Sequence, residues 1–292
     1  MKNKLIVILG PTASGKTKLA VKLARVFKGE IVSADSRQVY QGLDIGTGKD
    51  LKDYCAIPYH LIDVANPKKR FSLSRYQTLA YRAIDDILKR GKTPFLVGGS
   101  GLYLQSIIDG YQLTKVKPNL KLRNQLSKKS IKQLQGLAKN YKIKLNQSDF
   151  NNKRRLIRAI EIKKARNQKS KKSNPKYNCL LLGIKYPREI LNKRIDQRLK
   201  ERLQKQGLIQ EVKKLKKQGL SWKKLDDFGL EYRFIGQYLQ GKLTYEEMFN
   251  KLAIAIHQFA KRQITWFKRD RAIIWLDNKK QVKKLIKNFL RL

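Results

Sequence analysis

Residues 10–17 read G-P-T-A-S-G-K-T and follow the apolar run Leu5–Leu9 directly. They fill every fixed position of the phosphate-binding loop G-x-x-x-x-G-K-[ST], with a strand before it and a helix after it. The helix is signalled by Leu19, Ala20, Leu23 and Ala24, spaced at helical intervals. A loop of this kind delivers a strand onto a helix N-terminus, which restricts the chain to α/β folds. Across Gly10, Pro11, Thr12, Ala13, Ser14, Gly15, Lys16 and Thr17 the glycines let backbone N–H groups converge on one anion. The helix adds its positive end, Lys16 a point charge, and Thr17 a hydroxyl that can ligand Mg²⁺. A chance glycine-rich turn is the alternative, and the complete pattern in its required context outweighs it. The loop does not say which phosphorylated compound it holds.

The first 114 residues alternate strand and helix signals. Strands are predicted at Leu5–Leu9, Glu30–Ser33, Tyr59–Val64 and Thr93–Val97, and helices at Lys16–Phe27 and Ser74–Arg90. Such alternation implies parallel strands with crossover helices, and ligands bind at the carboxyl ends of such strands. Gly10, Asp35 and Gly98 then line one crevice. From Thr114 to about Asn174 the sequence is helical and very basic, with no strand signal; Gln168–Pro175 reads as a polar linker. Cys179–Ile184 resumes the sheet. Helices follow at Arg188–Gln206, Leu208–Gln218, Tyr245–Lys261 and Gln281–Leu290, and a last strand at Ala272–Leu276. The expected architecture is a P-loop NTPase-like α/β core, a parallel sheet flanked by helices. Its first part is 1–114, a helical basic insertion spans 115–174, and the core continues through 175–292.

The 292 residues carry 67 Lys+Arg against 22 Asp+Glu, a net charge of +45. A polyanionic partner such as nucleic acid accounts for this; an enzyme of small metabolites has no need of it. The excess is uneven. Residues 115–172 hold 20 basic and 2 acidic residues, against 18 and 9 in residues 1–114. No apolar run reaches membrane-spanning length, and no signal pattern opens the chain. Cys55 and Cys179 are the only cysteines, which points to a reducing, cytoplasmic setting and away from a cysteine-based zinc site. A disulfide between them is the weaker reading.

Four further constellations carry chemistry. Asp35, at a strand end, suits a general base, a metal ligand or a helix cap, with function and capping evenly balanced. Ser100, in Gly98-Gly99-Ser100-Gly101, offers a hydroxyl at the head of a helix. Arg194 and Arg198 lie four apart on one helix face and could close over a diphosphate. From the residues alone, a solvated face shared with Asp196, Glu201 and Arg202 is the stronger reading. Lys153, Arg154, Arg155 and Arg158 cluster on one helix within the most basic segment and suit phosphate contact.

Taken in order, G-P-T-A-S-G-K-T (10–17), D-S-R-Q-V-Y (35–40), D-I-G-T-G-K (44–49), H-L-I-D (60–63), V-G-G-S-G-L-Y (97–103), R-R-L-I-R-A-I-E (154–161), G-L-I-Q-E-V (207–212) and A-K-R-Q-I-T-W-F (260–267) resemble the tRNA dimethylallyltransferase (tRNA isopentenyltransferase) family. The likeness covers nearly the whole chain. It implies transfer of a dimethylallyl group from dimethylallyl diphosphate to N6 of adenosine 37 beside the tRNA anticodon. The phosphate loop, Arg194 and Arg198 would then hold the diphosphate with Mg²⁺ on Thr17, while Lys16, Asp35 and Ser100 are the catalytic residues, Asp35 taking the N6 proton. Ser100 stands where most members have threonine. By the same resemblance Asp35, Ser36, Arg37, Gln38, Ser100, Arg123, Arg154, Arg155, Leu156, Ile157, Arg158, Arg262 and Gln263 contact the anticodon stem-loop of tRNA. The protein is expected to be a monomer. Phe228–Arg233 matches the family's glycine-tyrosine motif only loosely, and the insertion is short.

Three rivals predict different partners. A P-loop small-molecule kinase turns over ATP and has no use for a basic insertion. An isopentenyltransferase of free adenine nucleotides lacks one. A nucleotide-switched RNA-binding assembly factor leaves its RNA unmodified.

Overall fold

The computed structural model describes residues 3–114, 116–165, 174–276 and 281–291. The chain divides into two compact units, Met1–Gly110 with Pro175–Leu292, and Tyr111–Asn174.

The first unit begins with β1 (Lys4–Leu9), α1 (Lys16–Val26), β2 (Gly29–Ala34), β3 (Tyr59–His60), α2 (Leu73–Lys89), β4 (Thr93–Gly98) and α3 (Gly101–Ile108). The second unit holds α4 (Leu120–Ser127), α5 (Ile131–Asn140), α6 (Gln147–Phe150) and α7 (Lys153–Lys164). The first then resumes with β5 (Asn178–Ile184), α8 (Arg188–Gln204), α9 (Leu208–Lys217), α10 (Trp222–Phe228), α11 (Leu230–Leu239), α12 (Tyr245–Phe267), β6 (Ile274–Leu276) and α13 (Val282–Leu290).

All strand pairs are parallel, in the order β3-β2-β4-β1-β5-β6, with β1 central and registered Ile8 to Val97 on one side and Ile8 to Leu182 on the other. The period of two along β1 splits its apolar run between two cores. Leu5, Val7 and Leu9 join one cluster with Tyr76 and Ile84 of α2 and Leu191 and Ile195 of α8. Ile6 and Ile8 join the other with Leu19 and Leu23 of α1 and Ile286 of α13. The sheet is therefore covered on both faces, as a P-loop NTPase-like fold requires.

Several elements differ from expectation. The third strand stops at His60 instead of Val64, because Leu61 (φ 63°) and Asp63 (φ 57°) leave the extended region. The helix opening at Tyr245 runs on to Phe267, so the A-K-R-Q-I-T-W-F motif is helical. Ala260, Gln263 and Phe267 continue its buried face. Helices α10 and α11 were not anticipated. The Ser72 side chain, which accepts from the Arg75 N–H, caps α2. Both cysteines are free thiols. Of the expected linker, residues 168–173 lie outside the described residues.

The second unit has its own small core, in which Leu126, Leu134, Ala138, Leu156 and Ile160 pack together. Side chains of Asn119, Ser130 and Asn152 cap α4, α5 and α7. Among the described residues no helix is long and apolar enough to cross a membrane.

Candidate active site

A cleft of about 1290 Å³ opens at the carboxyl ends of β1, β2 and β4. Gly98 brings two of these ends together: a Cβ there would lie 2.2 Å from the Ala34 carbonyl oxygen. The phosphate loop turns through two left-handed residues, Ala13 (φ 60°) and Gly15 (φ 77°). The Lys16 ammonium folds back to the Pro11 carbonyl at 3.2 Å. Burial lowers its pKa to about 8; Asp35 opposes the shift and Arg198 adds to it. The buried Ser14 hydroxyl has no hydrogen-bond partner among the described residues. Both features describe a cationic cradle that a bound anion would complete. Thr17 also lines the cleft.

Helix α8 supplies the opposite side. Arg194 Nε donates to the Ala13 carbonyl at 2.9 Å, and its guanidinium lies over Tyr186. Arg198 donates to the Thr12 hydroxyl. Burial lowers the Arg198 pKa to about 9, helped by Arg202 and Arg194 and opposed by Glu231 and Asp50. The helix spacing thus places both arginines on the phosphate loop. The solvated-face alternative fails for Arg202, which is 3% exposed and lines the same cleft. It packs so closely on Gly48 that a Cβ there would meet its guanidinium at 2.2 Å.

Asp35 follows β2 but caps no helix. Its Oδ1 accepts the Arg37 N–H at 2.8 Å and the Gln38 N–H at 3.4 Å, which closes a turn and leaves the carboxylate in the cleft. Ser100 is the N-cap residue of α3, yet its hydroxyl turns aside to accept the Ser36 N–H at 3.0 Å. The Gln38 amide donates to the Thr47 and Gly48 carbonyls and takes the Ser33 hydroxyl. Arg37 points towards α10, where its guanidinium lies over Phe228.

The far wall is the D-I-G-T-G-K segment, and its supports were not evident from sequence. The Glu211 carboxylate accepts the N–H groups of Asp44 (2.9 Å), Ile45 (2.6 Å) and Gly46 (3.1 Å) and the Tyr232 hydroxyl (2.8 Å). Lys49, 1% exposed, joins Asp44, Asp63 and the Tyr40 carbonyl. Glu231 is buried, and its pKa is raised by that burial against the pull of Arg202 and Arg198. The one local signal for Arg202 was its place four residues beyond Arg198.

Gln263 on α12 joins two loops of the cleft. Its buried amide accepts the Thr12 N–H at 2.8 Å and donates to the Gly99 carbonyl at 2.8 Å, joining the loops after β1 and β4. Arg262 is exposed and borders the cleft.

In the second unit, Arg123 and Arg158 both bind Glu161, which is 2% exposed, and Arg155 pairs with Asp149 at 2.6 Å. Leu156 is wholly buried in that unit's core and Ile157 packs beside it, so Leu156 has no surface to offer an RNA. Arg154 is exposed.

The IPP transferase family model matches residues 38–270, and an isopentenyl transferase model matches residues 3–55. The chain is 48% identical to tRNA dimethylallyltransferase 1 of Syntrophus aciditrophicus, over 100% of this chain and 99% of the relative. It is also 48% identical to tRNA dimethylallyltransferase 2 of Treponema denticola, over 92% of each. Among solved structures, the tRNA isopentenylpyrophosphate transferase of Bacillus halodurans superposes with a TM-score of 0.74 at 36% identity, covering 99% of this chain and 96% of the other. A eukaryotic dimethylallyltransferase acting on tRNA superposes with a TM-score of 0.75 at 28% identity, over 91% of this chain and 70% of that one.

Proposed function

Because this chain belongs to the IPP transferase family, whose full-length relatives are tRNA dimethylallyltransferases, we propose that it transfers a dimethylallyl group to tRNA. The donor in this reading is dimethylallyl diphosphate and the acceptor is N6 of adenosine 37 beside the anticodon. The observation that carries it is the pair Arg194 and Arg198 resting on a phosphate loop, in a cleft that also holds the Asp35 carboxylate. Cations on two sides suit a diphosphate leaving group. The carboxylate suits the proton lost by the attacking amine.

Lys16, Arg194, Arg198 and the loop N–H groups bind the diphosphate and stabilise the charge that grows on it as the allylic C–O bond breaks. The N6–C bond forms at the allylic carbon. Asp35 accepts the N6 proton, and the turn held by Arg37 and Gln38 fixes the position of its carboxylate. Ser100 holds Ser36 and so steadies the same turn. Mg²⁺ suits the donors present. Thr17 offers a hydroxyl, and among the described residues no group of three His, Cys, Asp or Glu forms a cage. A cation here would rest largely on substrate oxygens, as Mg²⁺ does. Bound at Thr17, it would neutralise part of the diphosphate charge. The target base must leave its stack to enter the cleft. The basic second unit adds affinity for the RNA backbone. The chain acts as a monomer in this reading.

Incubation of the purified protein with dimethylallyl diphosphate, Mg²⁺ and total tRNA, followed by mass spectrometry of the nucleosides, tests this reading. Prenylated adenosine is the expected product. ATP hydrolysis with unmodified tRNA would overturn it.

A further inference from the structure

Three cations of the first unit gather beside the cleft on a row of aromatic rings, and a fourth, Arg70, acts on one of them. Phe71, Tyr40, Phe228 and Tyr232 form the row, with successive centroid separations of 6.4, 5.0 and 5.9 Å. Arg75 lies 5.3 Å from the Phe71 centroid. Lys224 lies 6.0 Å from Tyr40 and 5.3 Å from Phe228, and Arg37 lies 5.8 Å from that same Phe228 ring. Arg70 is exposed and acts electrostatically on Lys224. Arg37 donates to the Asp227 carbonyl and Lys224 to that of Lys69. Of the neighbouring acids, Asp226 pairs with Arg233 at 2.8 Å, and Asp227 is the acid that acts on Lys224. Burial lowers the Lys224 pKa, Asp227 opposes this, and Arg70 and Arg37 lower it further.

The row runs directly into the catalytic cleft, because Arg37, Phe228 and Tyr232 line both. The contrast with the second unit is plain. There Arg123, Arg155 and Arg158 already face carboxylates. Here Arg37, Arg75 and Lys224 lie on aromatic rings, a setting that fixes their position. The run Lys68-Lys69-Arg70, exposed throughout, extends the positive surface outward, with Lys68 Nζ 3.3 Å from where a Cβ on Gly219 would stand.

We propose that Arg70, Arg75 and Lys224, together with Arg37, form a docking surface for consecutive RNA phosphates next to the base that enters the cleft. This rests on the transferase reading and adds to it a second backbone contact, on the first unit itself. Phosphates here would satisfy like charges that otherwise oppose one another, and the rings offer faces for an unstacked base.

The test uses the full chain with Arg70→Gln, Lys224→Gln and the double variant. Binding of total tRNA is measured by fluorescence anisotropy across a salt series, and binding of inorganic diphosphate is measured in parallel. Each lost contact should reduce the slope of log K against log salt by about 0.7–0.9, and low-salt affinity for tRNA should fall. Diphosphate affinity should stay at the wild-type value, which also shows the cleft to be intact. An unchanged slope in the double variant would overturn the proposal, as would a parallel loss of diphosphate affinity. Arg70 is on the surface, so its single variant decides the matter even if Lys224→Gln fails to fold: an unchanged slope there overturns the proposal too. Failure of the transferase reading shows differently, as wild-type protein that binds tRNA and never prenylates it.

Discussion

The Tyr232 hydroxyl donates to the Glu211 carboxylate at 2.8 Å, and the same carboxylate gathers three consecutive backbone N–H groups of residues 44–46. Two helices distant in sequence thereby clamp one wall of the cleft. Glu211→Gln should cost about 1–3 kcal/mol, since an amide turns a donor towards N–H groups that then lose their acceptor. Tyr232→Phe should cost about 1 kcal/mol. Urea denaturation measures both, and equal, negligible losses would show the clamp to be dispensable.

Lys16→Ala should reduce the single-turnover rate about a hundredfold or more, because one fixed cation at the leaving group is lost. Its melting temperature should not fall, as burial disfavours the Lys16 charge in the folded protein. Near-wild-type turnover in the folded variant would remove Lys16 from the chemistry.

Burial in the cleft holds Lys16 near pKa 8, while a guanidinium such as Arg198 keeps its charge throughout. Diphosphate binding needs the protonated lysine, so affinity should fall as pH rises through about 8. Binding should also take up protons in that window, because an anion raises the Lys16 pKa. Stability moves the other way. Lys16 binds its proton more weakly folded than unfolded, so its own contribution to stability rises with pH from about 8 to the unfolded value near 10.4. Calorimetric titration in two buffers of different ionisation heat reads the proton uptake, and equal heats in both would contradict it.

Asp35 separates base from turn-former. Its Oδ1 closes the turn at Arg37 and Gln38, and an asparagine Oδ1 can accept the same two N–H groups. Asp35→Asn should therefore keep stability and tRNA affinity while turnover drops by about 10²-fold or more, the usual scale of a lost general base. If stability and affinity fell with turnover, the carboxylate would be serving the turn alone.

What could be read from sequence was what is local. The β1–α1 junction, the end of β2 at Asp35 and the β4 turn at Ser100 each follow from a short apolar run and its punctuation, and the parallel-sheet rule brings them together. The supports of the far wall were hidden because Glu211, Tyr232 and Arg202 meet residues 44–50 only through the fold. The family resemblance alone links Gln263 to RNA. Its burial between two loops is decided by the packing of α12, which no sequence window reveals. Arg158 suits phosphate contact as part of a basic cluster, and Arg123 by the resemblance; Glu161, the acid they share, sits three and 38 residues away.

That sharing yields the last prediction. Burial alone would raise the Glu161 pKa, but bonds from Arg123, Arg158 and the Asn119 N–H hold it at about 2. The ionised carboxylate therefore stabilises the second unit above its unfolded pKa, near 4.3, and this contribution is lost as pH falls through 2. Glu161→Gln should destabilise the unit by about 3 kcal/mol, at the low end for a broken buried pair because both arginines keep some contact with water. Arg158→Ala should act mainly through the same stability loss. Arg154→Ala, at an exposed site on the same helix, should leave the Glu161 pairs in place and flatten the salt dependence of tRNA binding by about 0.7–0.9. Limited proteolysis within residues 111–174, run beside the salt series, distinguishes the two arginines. If Arg158→Ala flattened the slope as much as Arg154→Ala while the unit stayed protease-resistant, Arg158 would be an RNA contact after all, with its bond to Glu161 giving way to phosphate.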